Sequence, residues 1–487
     1  MLASLVQVGD HPGPGGRDLP DTARLLTADG DARIELDAST GRNRYGRRPV
    51  PDAGLVSFGS STASTISQAG FAAADCRREE LVRALRSAPP RVVYPEAAAA
   101  VRRELVKLLG LTDAAGLEVA LAASGTDVHL IASRLVAAAG ARPPLVVLAA
   151  AEETGRGVAN ALAGSGPRSE VAEVRVRAAD GTVRPSFEVE GEIAALVDAA
   201  VQAGRRVLLV LVDGSKTGLV SPTPAFARSL AARNPGAIDV LVDACQLRLA
   251  PATLKAYVEL GFLVAITGSK FVGGPAFSGA LLVPQGPAAR LCSAGAEAES
   301  GDAGGFGLIL RWTAALEELR AFAGLAEGAV ASFLLKFGAM VDETLASDPV
   351  LRPIPAAPIQ RPGLDAPASW DGLRTIFPFA MAASGAYLGR PDAELVDRWM
   401  GMALSGLFAS RPKAEPALAL RAEIGQPVMW GAPDGAPAAA LRLSLGARTI
   451  RQAMIGPAEA QAVIEAGRLT LRKASAIAKA LAASRPR

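Results

Sequence analysis

The sequence predicts an α/β protein with a mostly parallel central sheet covered by helices on both faces, and a smaller α+β domain after it. Three observations carry this expectation. Between Pro95 and Val283, short continuous apolar runs alternate with helical stretches, as strands buried on both faces and joined by crossover helices do. A Pro-rich stretch from Pro349 to Pro367 then reads as a linker. Beyond it lie an alternating strand, Leu441-Arg442-Leu443-Ser444-Leu445, and a helix from Pro457 to about Ala482.

Residues 1 to 90 read as an irregular N-terminal segment rich in Gly, Ser and Arg, with a helix near Arg77 to Ser87. Residues 91 to 330 form the expected large domain. Its strands fall at Leu117 to Ala122, Pro144 to Ala149, Val171 to Val176, Arg206 to Val212, Ile238 to Val242, Leu263 to Thr267 and Gly279 to Val283. Helical patterns at Asp127 to Ala138, Glu190 to Ala203 and Pro224 to Arg233 separate several of them. After Gly307 one long helical stretch runs through Trp312, Leu316 and Phe322 toward Leu345. Residues 331 to 487 form the small C-terminal domain.

A chain of 487 residues can bury more than one substantial core. Half of it is apolar, a fifth is charged, and the formal net charge is only +3, so no nucleic-acid footprint is visible. Arg42, Arg44, Arg47 and Arg48 form a basic cluster that reads as a solvated loop, with admission of an anionic substrate as the alternative. Cys76, Cys245 and Cys292 are widely spaced and odd in number, which fits a reducing compartment better than a disulfide framework or a metal knuckle. The first ten residues lack a basic n-region, and no uninterrupted apolar run is long enough to span a bilayer. A cytoplasmic protein with no membrane partner is expected.

Two residues at the ends of apolar runs carry the chemistry. Lys270, in Gly268-Ser269-Lys270, follows the run Gly261 to Ile266, and Asp243 follows Ala237 to Val242. A lysine amine removed from water favours its neutral form and condenses with an aldehyde. Pyridoxal phosphate (PLP) needs in addition a carboxylate beside its ring nitrogen, so that the protonated ring draws electrons from a substrate carbanion. Taken singly, the two residues read as a capping Asp and a solvated loop lysine. Together, at the carboxyl ends of parallel strands, they read as a PLP site.

Ser124-Gly125-Thr126 ends a strand and opens a helix, where free N–H groups and the helix dipole attract a phosphate. Thr267 and Ser269 could add hydroxyls. The bland reading of Ser-Gly-Thr-Asp is an N-terminal cap. Gln246 could reach the phenolic oxygen of the cofactor, and Thr217, in a turn after another strand, should open onto the same rim. Arg442 lies on the polar side of its strand: solvated, or the partner of a substrate carboxylate. The hydroxyl-rich segment Ser57 to Ser67 is a candidate for lining the site, or for helix capping and a dimer seam. His129 reads as a packing or cap residue.

With Asp-x-x-Gln at 243 to 246, Ser269-Lys270, Ser-Gly-Thr at 124 to 126 and Arg442-Leu-Ser444, the chain resembles fold-type I PLP enzymes of the class V aminotransferase superfamily, which includes cysteine desulfurases and kynureninases. The resemblance covers residues 91 to 330 well, the C-terminal domain weakly and the first ninety residues not at all. It implies that Lys270 holds the cofactor as a Schiff base and later moves the substrate proton. Asp243 would bind the pyridine nitrogen, Gln246 the phenolic oxygen, Gly125, Thr126, Thr267 and Ser269 the phosphate, and Arg442 the substrate carboxylate. It also implies a homodimer with its active site at the subunit interface, the loop Gly273-Gly274-Pro275 reaching the neighbour's phosphate.

Departures from the family pattern narrow the reading. Relatives stack an aromatic residue or His on the ring where this chain has Glu152-Glu153-Thr154, which leaves stacking unassigned; Ser215 and Ser269 stand where many have Asn and His. Cys292 is too near Lys270 for the mobile nucleophile of a desulfurase. The expected function is therefore PLP-dependent chemistry at the α-carbon of an amino acid, with transamination first. A β- or γ-eliminating lyase and a non-catalytic scaffold are the alternatives.

Overall fold

Leucine- and valine-rich runs form the central strands of the large sheet, and the computed structural model buries them from end to end, as in Val207–Asp213, whereas the edge strands Glu118–Ala122 and Glu170–Val174 keep exposed glutamates. It describes residues 19–28, 30–59, 64–164, 169–293, 305–404 and 416–484. One short strand, β1 (Val56–Phe58), precedes the large sheet. That sheet comprises β2 (Glu118–Ala122), β3 (Leu145–Ala149), β4 (Glu170–Val174), β5 (Val207–Asp213), β6 (Val220–Ser221), β7 (Ile238–Ala244), β8 (Leu263–Thr267) and β9 (Gly279–Val283). Its order is β2-β9-β8-β7-β5-β3-β4, with β6 alongside β5. From β8 to β4 the strands of this path are parallel; β9 runs antiparallel to both its neighbours.

The smaller sheet contains β10 (Leu351–Pro353), β11 (Ile376–Ala383), β12 (Ala386–Tyr387), β13 (Ala422–Gly431) and β14 (Pro437–Ser444). Its order is β1-β13-β14-β11-β10. The expected N-terminal segment is thus divided between two cores. Strand β1 pairs in parallel with β13, while the helix Gln68–Ser87, capped by Ser67, lies so close to the helix Phe306–Ala323 that a Cβ on Gly70 would sit 3.3 Å from the Ala314 carbonyl oxygen. In the hydroxyl-rich segment, residues 60–63 lie outside the described residues. Its flanks are committed internally, Ser57 and Thr65 to Glu423 and Ser67 to Glu318.

The expected single helix from Gly307 to Leu345 is two helices, Phe306–Ala323 and Glu327–Ser347, whose axes differ by 96°. The break falls where the chain passes from one core to the other. Ile309 and Leu316 pack in the large core, and Phe333, Phe337 and Val341 in the small one. The Pro-rich stretch is anchored rather than loose, since β10 pairs with β11 and Arg361 donates to both oxygens of Asp213 at 2.6 and 2.8 Å. Among the described residues no single helix is long and apolar enough to cross a membrane.

Candidate active site

Parallel strands deliver their following loops to one edge, and three such loops, after β2, β7 and β8, meet here. After β2, Ser124 caps the helix Gly125–Ala138 through its side chain, leaving the N–H groups of Gly125 and Thr126 without intrahelical acceptors. Gly125 is packed tightly: a Cβ there would lie 3.0 Å from Cys245 Sγ and 3.3 Å from Thr267 Cγ2. That contact joins the phosphate-type turn to the ends of β7 and β8.

Asp243 is buried in the last turn of β7, where its Oδ1 accepts the Cys245 N–H at 3.1 Å. His129, one helical turn after Gly125, donates Nδ1–H to the Gly125 carbonyl at 2.7 Å and places Nε2 3.3 Å from Asp243 Oδ2. Burial raises the Asp243 pKa, but the imidazole and the ammonium of Lys270 outweigh it, and the carboxyl is held well below its usual range. Burial likewise opposes a charge on His129, and the Asp243 carboxylate overcomes that, so the imidazole pKa is raised. The pair is therefore a buried carboxylate with an imidazole 3.3 Å behind it, each favouring the charged form of the other.

Lys270 follows β8 in the turn after the strand and is half-buried, where the sequence led us to expect a buried amine. Its charge acts on Asp243, His129 and Cys245 together, which places it over the same site. Gln246 is buried with Oε1 unpartnered. Thr267 donates its hydroxyl to the Cys245 carbonyl at 2.7 Å, and Ser269 Oγ lies 3.5 Å from Thr267 Oγ1. His129, Asp243 and Cys245 offer ligand atoms within 4.8 Å of one another. Burial and then Asp243 push the Cys245 thiol well up.

Two predicted residues sit apart from this cluster. Thr217 turns its hydroxyl to Glu153, 2.7 Å away, and accepts from Arg177 Nη2 at 2.9 Å. Glu153 stands at the stacking position as a buried carboxylate, bonded also to Ser215 Oγ and Arg177 Nε. Arg442 is buried, and so is Ser444, so the strand face expected to be polar and solvated is interior. The reason is the large domain: Arg442 Nη1 donates at 3.4 Å to the Lys216 carbonyl, in the turn after β5. In the Gly273-Gly274 loop, Gly274 is packed against its own chain, where a Cβ would meet Ala315 Cβ at 2.6 Å, while a Cβ on Gly273 would meet nothing within 4 Å.

Sequence reasoning underrated His129. The available signal was its place four residues past Gly125, one turn below the end of β7. Glu153 and Arg248, a buried arginine shortly after Gln246, carried no local signal of their roles.

Solved structures share this fold over most of the chain. The Oryza sativa protein TDC, crystallised with PLP, aligns over 86% of this chain and 83% of its own with 14% identity and a TM-score of 0.51. The same protein with PLP and tryptamine aligns over 87% and 84%, at 15% identity and 0.51. The glutamate decarboxylase domain of a Vibrio parahaemolyticus diaminobutyrate-pyruvate transaminase and L-2,4-diaminobutyrate decarboxylase covers 86% and 80%, at 12% identity and 0.50. The chain has the fold of fold-type I PLP enzymes. No family model and no curated protein sequence matches it.

The residues present suit the group that fold carries. A carboxylate is held ionised at the strand end, free N–H groups stand at a helix start beside a glycine, and a half-buried lysine shares the field of that carboxylate.

Proposed function

We propose that this protein is a PLP-dependent enzyme acting at the α-carbon of an amino-acid substrate, and specifically an aminotransferase. One observation carries the reading. Asp243, kept ionised by His129, and Lys270, whose charge it feels, stand at the carboxyl edge of adjacent parallel strands. When bound, PLP supplies an aldehyde that captures an amine and a ring that takes up carbanion electrons.

Each residue then has a role set by its chemistry. Asp243 holds the ring-nitrogen proton, and His129 fixes that carboxylate from behind. Gln246 donates to the phenolic oxygen; the N–H groups of Gly125 and Thr126 and the Ser269 hydroxyl receive the phosphate, while Ser124 and Thr267, whose hydroxyls donate to Asp127 and to the Cys245 carbonyl, hold the cradle in shape. Lys270 anchors the cofactor and afterwards moves the α-proton. Arg442 offers its guanidinium to the substrate carboxylate. Thr217 is a positioning residue here, since Glu153 and Arg177 occupy its hydroxyl. A homodimer with the site at its interface, in the cytoplasm, completes the proposal.

Absorbance tests it. The purified protein should take up PLP, turn yellow and bleach with borohydride, and Lys270→Ala should stay colourless. A parent that takes up no PLP would make the chain a scaffold. Turnover of amino acids without any accumulation of the amine form of the cofactor would replace transamination by elimination.

A further inference from the structure

Residues 31–48, which hold the basic cluster, cross from the large domain to the small one, and each end lands beside a residue of the candidate site. At the first end Ile34 is buried, and the Arg33 guanidinium lies 4.6 Å from the ring centre of Phe277, seven positions after Lys270 (277 minus 270). Phe277 is held in turn, since Arg311 Nε donates to its carbonyl at 2.7 Å. Two residues on, Gly279 pairs with Thr267 and with Ala122, and a Cβ there would lie 2.7 Å from the Ser124 carbonyl oxygen. That end therefore sits at the carboxyl edge, next to the phosphate-type turn.

The other end meets the small sheet. Arg47 Nε lies 3.5 Å from Glu423 Oε2, and a Cβ on Gly401 would be 3.2 Å from Arg47 Nη1. Glu423 and Gly425, two residues apart on β13, share one face of that strand. A Cβ on Gly425 would sit 2.9 Å from Arg442 Nε, so Arg47 and Arg442 engage the same face of the sheet. Between the two ends the backbone closes on itself twice: the Gly41 N–H donates to the Asp37 carbonyl and the Gly46 N–H to that of Asn43, both at 2.8 Å.

The fastenings are unequal. Arg33 has Asp31 at 2.7 Å, an aromatic face and the buried Ile34 beside it. Glu423 already accepts from the Ser57 hydroxyl and from the N–H and hydroxyl of Thr65 at 3.3 and 3.1 Å, and Arg47 Nε reaches it without a formed hydrogen bond. A long ion pair of this kind is weak, so the Arg47 end is the one that lets go.

We propose that residues 31–48 are a strap closed across the cleft, hinged at Phe277 and latched by Arg47 on Glu423, and that Arg33 and Arg47 are positioning residues which decide by size what amine-reactive molecules and amines reach Lys270. That such an amine is a substrate rests on the proposed function; the cover over Lys270 does not.

The test reads acylation of Lys270 on the full chain, dialysed against hydroxylamine to strip any PLP. The reagents are the N-hydroxysuccinimide esters of acetic acid and of biotin, and each rate is divided by that of the exposed Lys336 in the same sample. On the parent the acetyl ester should be favoured at Lys270 by at least about tenfold; Arg47→Met should shrink that preference about fivefold, and Arg47→Lys, which keeps the charge of the latch, should leave most of it. Arg33→Met, at the hinge, should shrink it as well. Equal acylation of the parent by both esters overturns the inference without any variant, and so does a preference that survives both methionine substitutions, whatever they do to the thermal midpoint. PLP absorbance is read on the same preparations. A size preference relaxed by Arg47→Met in a chain that takes up no PLP sinks the proposed function and leaves the strap standing; a yellow chain without the preference does the reverse.

Discussion

The carboxyl edge of the large sheet and the seam between the two sheets are both buried and both charged, yet they balance their charges differently. At the edge, Asp243 has His129 at 3.3 Å, a backbone N–H, and the field of Lys270. In the seam, Arg248 and Arg442 have, among the described residues, only carbonyl acceptors and no carboxylate within 4 Å, and each retains an unpartnered N–H; His129 Nε2 at the edge also lacks a well-formed hydrogen bond, but it faces a counter-charge. A fully paired buried charge is a fixed part of the fold, and removing its partner is costly. An unpaired one costs stability as it stands, and what it offers in return is affinity for something outside the chain.

The sharpest way to break the comparison is to remove the charge at the edge. Asp243→Asn should lower the rate of any PLP-dependent turnover on the order of 10³-fold, because the ring nitrogen loses its counter-charge, while PLP absorbance from Lys270 persists. Steady-state kinetics beside a cofactor spectrum would show it. Turnover within tenfold of the parent would move the essential carboxylate elsewhere.

Away from the site, Asp213 obeys the rule of the edge rather than that of the seam. It accepts from Arg361 twice and from the Tyr257 hydroxyl at 2.8 Å. Asp213→Ala should cost about 3–5 kcal/mol, since it leaves a buried guanidinium unpaired and releases the Pro-rich stretch from the large domain. Urea unfolding measures it, and a loss below about 1 kcal/mol would mean that this ion pair is not what anchors the stretch.

How much of this was legible in the sequence follows from burial. Strands β3, β5, β7 and β8 are covered on both faces, so they read as continuous apolar runs, and Asp243 and Lys270 could be placed at their ends. The small sheet hid itself. Strand β11 contains Pro378, and β13 carries Gly425 and Pro427 where its register with β14 shifts, all local signals against a strand that only tertiary pairing overrides. Its edge strand β1 comes from the far end of the chain, and pairing of that kind leaves no local mark. Arg442 was correctly seen as pointing away from its leucine neighbours, but not that its own side of the strand is interior, because the surface that covers it belongs to the other domain.

Acidity offers a finer probe of the edge. The folded pKa of His129 is raised above 6.5, so its charge contributes fully below that value and the contribution fades as pH rises through the raised pKa. Asp243 is lowered below 3.8, so its contribution is present above that value and is lost as pH falls. His129→Gln should therefore cost most between those two values, about 2–3 kcal/mol, and progressively less in alkaline buffer. Unfolding free energies of parent and variant across pH would show it. A gap that widens as pH rises would mean a neutral imidazole behind Asp243.

The smallest expected effect on stability is the most telling one for the seam. Arg442→Met removes a buried cation that is repaid by two carbonyl contacts and, among the described residues, by no carboxylate within 4 Å, and methionine fills much of the same volume. Its unfolding free energy should stay within about 1 kcal/mol of the parent, while the KM for an amino-acid substrate rises about 100-fold, the reverse of the pattern at Asp213. Were stability to fall by several kcal/mol with KM unchanged, Arg442 would belong with the paired charges of the fold, and the seam would hold the two domains together instead of holding a substrate.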